Sequence, residues 1–129
     1  MINVIPDWLQ DAIDFLNQEF KEDEDVNVTI LYGFDCVGTD EGIGGFAVYN
    51  TEAKTIMLAD YNELKRVFDG LSHTDVGELS WQDVKDTTIM NLFHEYRHHQ
   101  QNTYGWEISE DDAEHFAEHL YKEFVSWAH

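Results

Sequence analysis

The sequence is poor in cysteine, proline and long apolar runs. A single cysteine, Cys36, can form neither an internal disulfide nor a zinc site of several thiolates. The only proline, Pro6, stands where the first turn of a helix accepts it. Because no run of about 18 apolar residues occurs, the sequence predicts no transmembrane helix. The N-terminus lacks a basic region and a long apolar stretch, so we expect no signal peptide and a cytoplasmic protein.

Positive charge is also scarce. Only 7 lysines and arginines stand against 27 aspartates and glutamates, and the formal net charge is −20. Such a surface repels phosphate groups, so we expect no direct binding of nucleic acid. Three interpretations stay open: adaptation to a high-salt cytoplasm, mimicry of nucleic acid towards a basic partner, and solubility of a small protein. Because the acidic residues are spread along the chain, they favour a general property of the surface.

The chain of 129 residues, 43% of them hydrophobic, predicts one domain over residues 1–129 around one core. Its periodicity indicates an α+β fold, with helices packed on one face of a small, mostly antiparallel three-stranded sheet. The predicted order is a helix over 6–20, strands over 26–33, 46–50 and 54–60, and helices over 61–70, 81–101 and 110–127. Ser80 with Asp83, and Ser109 with Asp112, are expected to cap the last two helices.

The stretch NLFHEYRHHQQ contains the pattern H-E-x-x-H inside the longest predicted helix. His94 and His98 are four residues apart, so both imidazoles project from one face and can bind one tetrahedral metal ion. Glu95 can hydrogen-bond a water on that metal and act as general base. His99 points about 100° away from His98 and is expected to pack or hydrogen-bond elsewhere. The competing interpretation is a polar, histidine-rich helix face without a metal.

The same helix is apolar on much of its girth, so we expect it to be central, with the face of His94 and His98 lining a cavity. A catalytic zinc site also needs a third protein ligand. On the last predicted helix, Glu110 falls inside one edge of the apolar stripe and Glu114 lies just beyond it. A carboxylate beside a core needs a partner, which zinc would supply. The alternative for Glu110 is an acid favoured by the helix dipole.

The pattern HEYRH followed by EDDAEHFAEHL resembles the gluzincin metallopeptidases, above all the small minigluzincins and the ImmA/IrrE-type peptidase domain. These proteins carry H-E-x-x-H and then E-x-x-A-x-x-F-A, which reads here as Glu110, Ala113, Phe116 and Ala117. The preceding stretch GGFAVYNTEAKTIMLAD is similar to their glycine–strand–turn–strand segment. There, one strand forms the edge of the cleft. The resemblance covers residues 44–121 and implies a zincin-like, minigluzincin fold with a C-terminal helix that bears a ligand.

The resemblance implies a zinc-dependent metallopeptidase that hydrolyses a peptide or protein substrate. The Zn²⁺ ligands would be His94, His98 and Glu110. Glu95 would be the general base, and Glu114 would take the place of the Asp or Asn that often orients a ligand histidine in these families.

Alternatives stay open at the third ligand and for the function as a whole. The interval between His98 and Glu110 is short for the ImmA-like group, so Glu107 or Asp111 could be the third ligand instead. The chain could also be a non-catalytic, zinc-stabilised binding or regulatory module, or an acidic interaction protein that needs no metal. We interpret His115 and His119 as surface histidines in every case.

Overall fold

The computed structural model describes residues 5–34, 46–71 and 77–128, so Cys36 and the glycine-rich segment lie outside the described residues. The helices are α1 (Asp7–Glu19), α2 (Tyr61–Leu71), α3 (Gly77–Tyr104) and α4 (Glu110–Ala128). The strands are β1 (Asn27–Leu31), β2 (Ala47–Asn50) and β3 (Thr55–Ala59). The predicted α+β class is confirmed. None of the described helices combines the length and apolar character needed to cross a membrane.

The three strands form a mixed sheet in the order β1–β3–β2. β1 runs parallel to β3, with Asn27 opposite Thr55, while β2 runs antiparallel to β3, with Ala47 opposite Leu58. The prediction of a mostly antiparallel sheet is therefore wrong. The short turn over residues 51–54 makes β2 and β3 antiparallel neighbours, whereas the longer chain after β1 allows a crossover that leaves β1 parallel to β3.

α3 is the central helix, as predicted, because it packs against α1, α2, α4, β2 and β3. Its apolar side chains join those of α1, α4 and the sheet in one buried core. That core includes Leu9, Phe15, Ile56, Leu58, Leu92, Phe93, Leu120 and Phe124. Burial of each such large side chain contributes about 1.5–3 kcal/mol, so these contacts are the main term that orients α3.

The end of α3 and the start of α4 follow from local capping. α3 begins at Gly77, so Ser80 lies inside the helix and its predicted capping role is wrong. α3 ends at Tyr104, three residues later than predicted. There Gly105 adopts φ +71° and the Trp106 N–H donates to the Gln101 carbonyl at 2.8 Å, a Schellman ending.

The start of α4 agrees with the prediction. The Ser109 hydroxyl oxygen accepts a hydrogen bond from the Asp112 N–H at 3.1 Å, which satisfies one free donor of the first turn. The helix begins at Glu110, the residue after this cap. The Schellman ending and the serine cap together confine the α3–α4 connection to five residues, 105–109.

Asp23, between α1 and β1, ties α3 to the N-terminal part of the chain. Its carboxylate accepts hydrogen bonds from the Tyr96 hydroxyl at 2.8 Å, from the Gln100 amide at 2.9 Å and from the Tyr104 hydroxyl. Burial alone would raise the pKa of Asp23. The hydrogen bonds from Tyr104, Gln100 and Tyr96 outweigh it and hold that pKa below its usual range.

We expect the charged form of Asp23 to stabilise the fold in a pH-dependent way. Its folded pKa lies below the unfolded value, so this stabilisation is present above the unfolded pKa and is lost as pH falls through the folded pKa. Asp23→Asn should lower the free energy of unfolding by about 1 kcal/mol at neutral pH, and the difference should shrink below about pH 4. Urea unfolding across pH measures this. Asp25→Asn is the matched control, and a difference that does not vary with pH would contradict the assignment.

Candidate metal centre

Three side chains of α3 form a compact group of possible metal ligands. One ligand atom from each of His94, Glu95 and His98 lies within 4.8 Å of the other two. The two imidazole rings share a face of the helix, as their spacing predicts, with ring centroids 4.9 Å apart. His98 and Glu95 are buried and His94 is half-buried. This group could hold a metal ion.

Glu110, the first residue of α4, brings a carboxylate to the same point. Its Oε2 lies 2.8 Å from Nε2 of His94, and its Oε1 lies 3.1 Å from Nε2 of His98. One carboxylate therefore contacts both imidazoles, and the structure brings all four predicted site residues together. In the described part of the chain, neither Glu107 nor Asp111 forms an ion pair or hydrogen bond with either histidine.

The Glu110 side chain is 75% exposed, so the predicted position inside the core stripe is wrong. A helical wheel places the residue beside the stripe, but α4 has only begun at Glu110 and the long side chain extends outwards over α3. Partial burial would raise the pKa of Glu110. Its contacts with His94 and His98 outweigh burial and lower that pKa.

The partners of both histidines at Nδ1 suit metal binding through Nε2. Nδ1 of His98 lies 2.7 Å from Oε1 of Gln101, and Nδ1 of His94 lies 3.1 Å from Oε2 of Glu114. Because amide and carboxylate oxygens only accept, Nδ1 of each ring is the donor to these partners, and Nε2, which faces Glu110, is the atom that would bind a metal. Such partners orient ligand histidines in metal sites. Glu114 is thus placed beside Nδ1 of His94.

The orientation of the Gln101 amide is fixed by its other contacts. Its Nε2 donates to the Ser109 carbonyl at 3.2 Å and to Asp112 at 3.0 Å, which leaves Oε1 to face His98. The Arg97 guanidinium also donates to Asp112, at 2.8 Å. The hydrogen bonds from Arg97 and Gln101 lower the pKa of Asp112. The same network therefore orients His98 and attaches the first turn of α4 to α3.

Sequence reasoning missed Gln101 and Asp112 as parts of the site. The signal for Gln101 was its position three residues after His98, which places both side chains on one helix face. The contacts of Asp112 depend on how α4 lies against α3, and no pattern within one helix contains that information.

Glu95 is buried beside His98 and touches strand β2. The Tyr49 backbone N–H donates a hydrogen bond to its carboxylate. Burial raises the pKa of Glu95 to about 7. The interactions with His98 and with the Tyr49 N–H oppose this rise, whereas the negative charge of Glu110 adds to it. The backbone of β2 therefore positions the carboxylate from one side while α3 positions it from the other.

Two clefts meet the candidate metal centre, and they confirm that this face of α3 lines cavities. The first, here the Ile108 cleft, has a volume of about 230 Å³. It is lined by Val48, Tyr49, Thr51, Glu95, His98, Ile108 and Glu110. The second, here the Asp86 cleft, has a volume of about 360 Å³. It is lined by Phe46, Asp86, Thr87, Met90, Asn91, His94 and Glu114. Each cleft thus reaches one of the two histidines.

His99 is structural, as predicted. The ring is fully buried, with Nε2 2.7 Å from the Glu24 carbonyl oxygen and Nδ1 2.8 Å from the Tyr49 hydroxyl. The carbonyl can only accept, so Nε2 carries the proton and Nδ1 accepts from Tyr49. His99 therefore attaches β2 to α3, which keeps the Tyr49 N–H beside Glu95. His115 and His119 are exposed, as interpreted from the sequence.

Comparison of the chain with protein-family models, with curated proteins and with solved structures finds no match. The basis for a function is therefore the arrangement of His94, Glu95, His98 and Glu110 itself.

Proposed function

We propose that this protein is a zinc-dependent metallopeptidase of the gluzincin type. His94, His98 and Glu110 would bind the zinc ion, and Glu95 would act as general base. One observation carries the proposal: the Nε2 atoms of both histidines converge on the carboxylate of Glu110, at 2.8 and 3.1 Å, while each Nδ1 is engaged by another acceptor. Three potential ligands from two helices thus meet at one point.

The donor set fits zinc. Two neutral imidazoles and one carboxylate, with a further position for water, are typical of catalytic zinc sites. Calcium and magnesium prefer oxygen ligands alone. Non-haem iron also uses two histidines and a carboxylate. What favours hydrolytic zinc is Glu95, a second carboxylate in the same group that is buried next to His98 and can exchange a proton with water.

The chain's own residues supply the proton transfers. Bound zinc would polarise a substrate carbonyl and lower the pKa of a water molecule. The Glu95 carboxylate would take the proton from that water as it attacks the carbonyl carbon, and would return the proton to the leaving amine. The Tyr49 N–H would hold Glu95 in position for both transfers.

A peptide substrate is favoured by the strand next to the centre. β2 is an edge strand in the described part of the sheet, and Val48, Tyr49 and Thr51 line the Ile108 cleft. An extended peptide can pair with such an edge through backbone hydrogen bonds. Its reacting carbonyl would then lie beside His98 and Glu95.

We expect one zinc ion per chain after reconstitution, with affinity that depends on Glu110. Glu110→Gln should weaken zinc binding by at least about tenfold, because a neutral amide is a poorer ligand than a carboxylate. Glu107→Gln and Asp111→Asn are the matched controls, since each removes one exposed negative charge nearby. Competition with a chromophoric chelator measures the affinities.

Two results would contradict the ligand assignment. Equal affinity in the Glu110 variant and in the two control variants would remove Glu110 as the third ligand. Absence of stoichiometric zinc after reconstitution would instead support the acidic interaction protein that needs no metal.

Glu95→Gln should keep zinc but lose hydrolysis. The amide cannot accept a proton, so we expect kcat on an unstructured peptide to fall by about 10²–10⁴-fold while the zinc affinity stays within about threefold. Glu118→Gln, an exposed change on α4, is the control. Peptide cleavage by the Glu95→Gln variant at the wild-type rate would exclude the general-base role. Zinc-loaded wild type that cleaves no peptide would support a non-catalytic zinc module.

A further inference from the structure

We propose that Asp86 binds a cationic side chain of a peptide held across the metal centre. The ligand class is a peptide that carries lysine or arginine at one position near the centre, and the assignment rests on the proposed peptidase function, which it extends to a class of substrate. The proposal is carried by the position of the Asp86 cleft, by its charge and by the hydrogen bonds of Asp86.

The Asp86 cleft is placed to receive a substrate side chain. It reaches His94, whereas the Ile108 cleft reaches His98 and Glu110, so one cleft lies at each of the two histidines. A peptide bound across the two histidines can therefore place side chains in both clefts. The volume of about 360 Å³ leaves room for a long side chain in the Asp86 cleft.

The charge of the Asp86 cleft is negative and local. Asp86 and Glu114 both line it, and none of its described lining residues is lysine or arginine. Glu114 is already engaged through His94, at 3.1 Å. Asp86 is therefore the carboxylate of the cleft that stands apart from the metal centre and can serve a ligand.

Asp86 is held in place without being neutralised. Its Oδ1 accepts hydrogen bonds from the Gln82 amide at 2.8 Å and from the Tyr121 hydroxyl. Burial and the charge of Asp86 raise the pKa of Tyr121, so this hydroxyl stays a neutral donor. Oδ2 accepts no hydrogen bond from the described residues. A fixed carboxylate with one open oxygen suits a charge-assisted hydrogen bond from an ammonium or guanidinium group.

The walls of the cleft suit the rest of a lysine or arginine side chain. Met90 and Phe46 provide apolar surface beside Asp86. The methylene stem of a long cationic side chain can pack on such surface while its head group reaches the carboxylate. The Ile108 cleft offers Val48 and Ile108 instead, which suit an apolar side chain. The two clefts therefore differ in chemistry, and each would accept a different kind of peptide side chain.

Binding to an inactive protein tests the proposal without requiring turnover. We would use zinc-reconstituted Glu95→Gln and labelled peptides that are identical except at one position, which is lysine or the uncharged norleucine. The variable position is moved along the peptide. At one position we expect lysine to bind about tenfold more tightly, as a charge-assisted hydrogen bond implies. Fluorescence anisotropy measures both affinities.

Matched variants separate Asp86 from the general negative charge. In Glu95→Gln/Asp86→Asn, which keeps the acceptor for Tyr121, the preference should fall to about twofold or less. Asp83→Asn removes the same charge from an exposed position one turn away on α3, and on the same background the preference should persist.

Three results would overturn the proposal. They are a lysine preference at no position, an equal loss in the Asp83 and Asp86 variants, and an equal weakening of both peptides by Asp86→Asn. The wild-type protein is then assayed for cleavage of the preferred peptide. Selective binding without cleavage would support the assignment of Asp86 and would overturn the peptidase function, so the two failures are distinguishable.

Discussion

The site depends on the contacts that attach the start of α4 to the end of α3. Gln101 is central to these contacts, because its side chain orients His98 through Oε1 and contacts Ser109 and Asp112 through Nε2. The Schellman ending at Gly105 reverses the chain within five residues. Without this reversal, Glu110 could not reach both histidines. The position of the third potential ligand is thus a consequence of how one helix ends and the next begins.

The end of α3 is built for positioning rather than for apolar packing. Glu95, His98, His99, Gln100 and Gln101 are all buried, although each burial of a polar group without a partner costs about 1–3 kcal/mol. Each of these side chains has a partner on another element or one turn away on the same helix. Such a network of partnered side chains restricts the histidines to one geometry. The apolar half of α3 supplies the stability that this network does not.

The correct predictions concern features within one helix, and the missed ones depend on contacts between elements. The four-residue spacing placed His94 and His98 on one face, and the serine at 109 marked the start of α4, because both depend on one helix alone. The parallel pairing of β1 with β3 depends on a crossover that no strand pattern encodes. The helical wheel placed Glu110 in the core stripe because a wheel assumes that the helix packs against the core along its whole length. The contacts of Gln101 with Ser109 and Asp112 could not be predicted, because they depend on where α4 lies.

The negative charge acts at two ranges. A net charge of −20 attracts any dication or cationic peptide, but solvent ions screen exposed charges beyond about 8–10 Å, so this field raises encounter rates without selecting a position on the peptide. Selection requires a carboxylate inside a cleft, with fixed geometry and an open oxygen. Asp86 meets these conditions because its donors, Gln82 and Tyr121, are neutral. Added salt should therefore weaken the general attraction more than the preference for lysine, because the cleft partly excludes the ions that screen the surface.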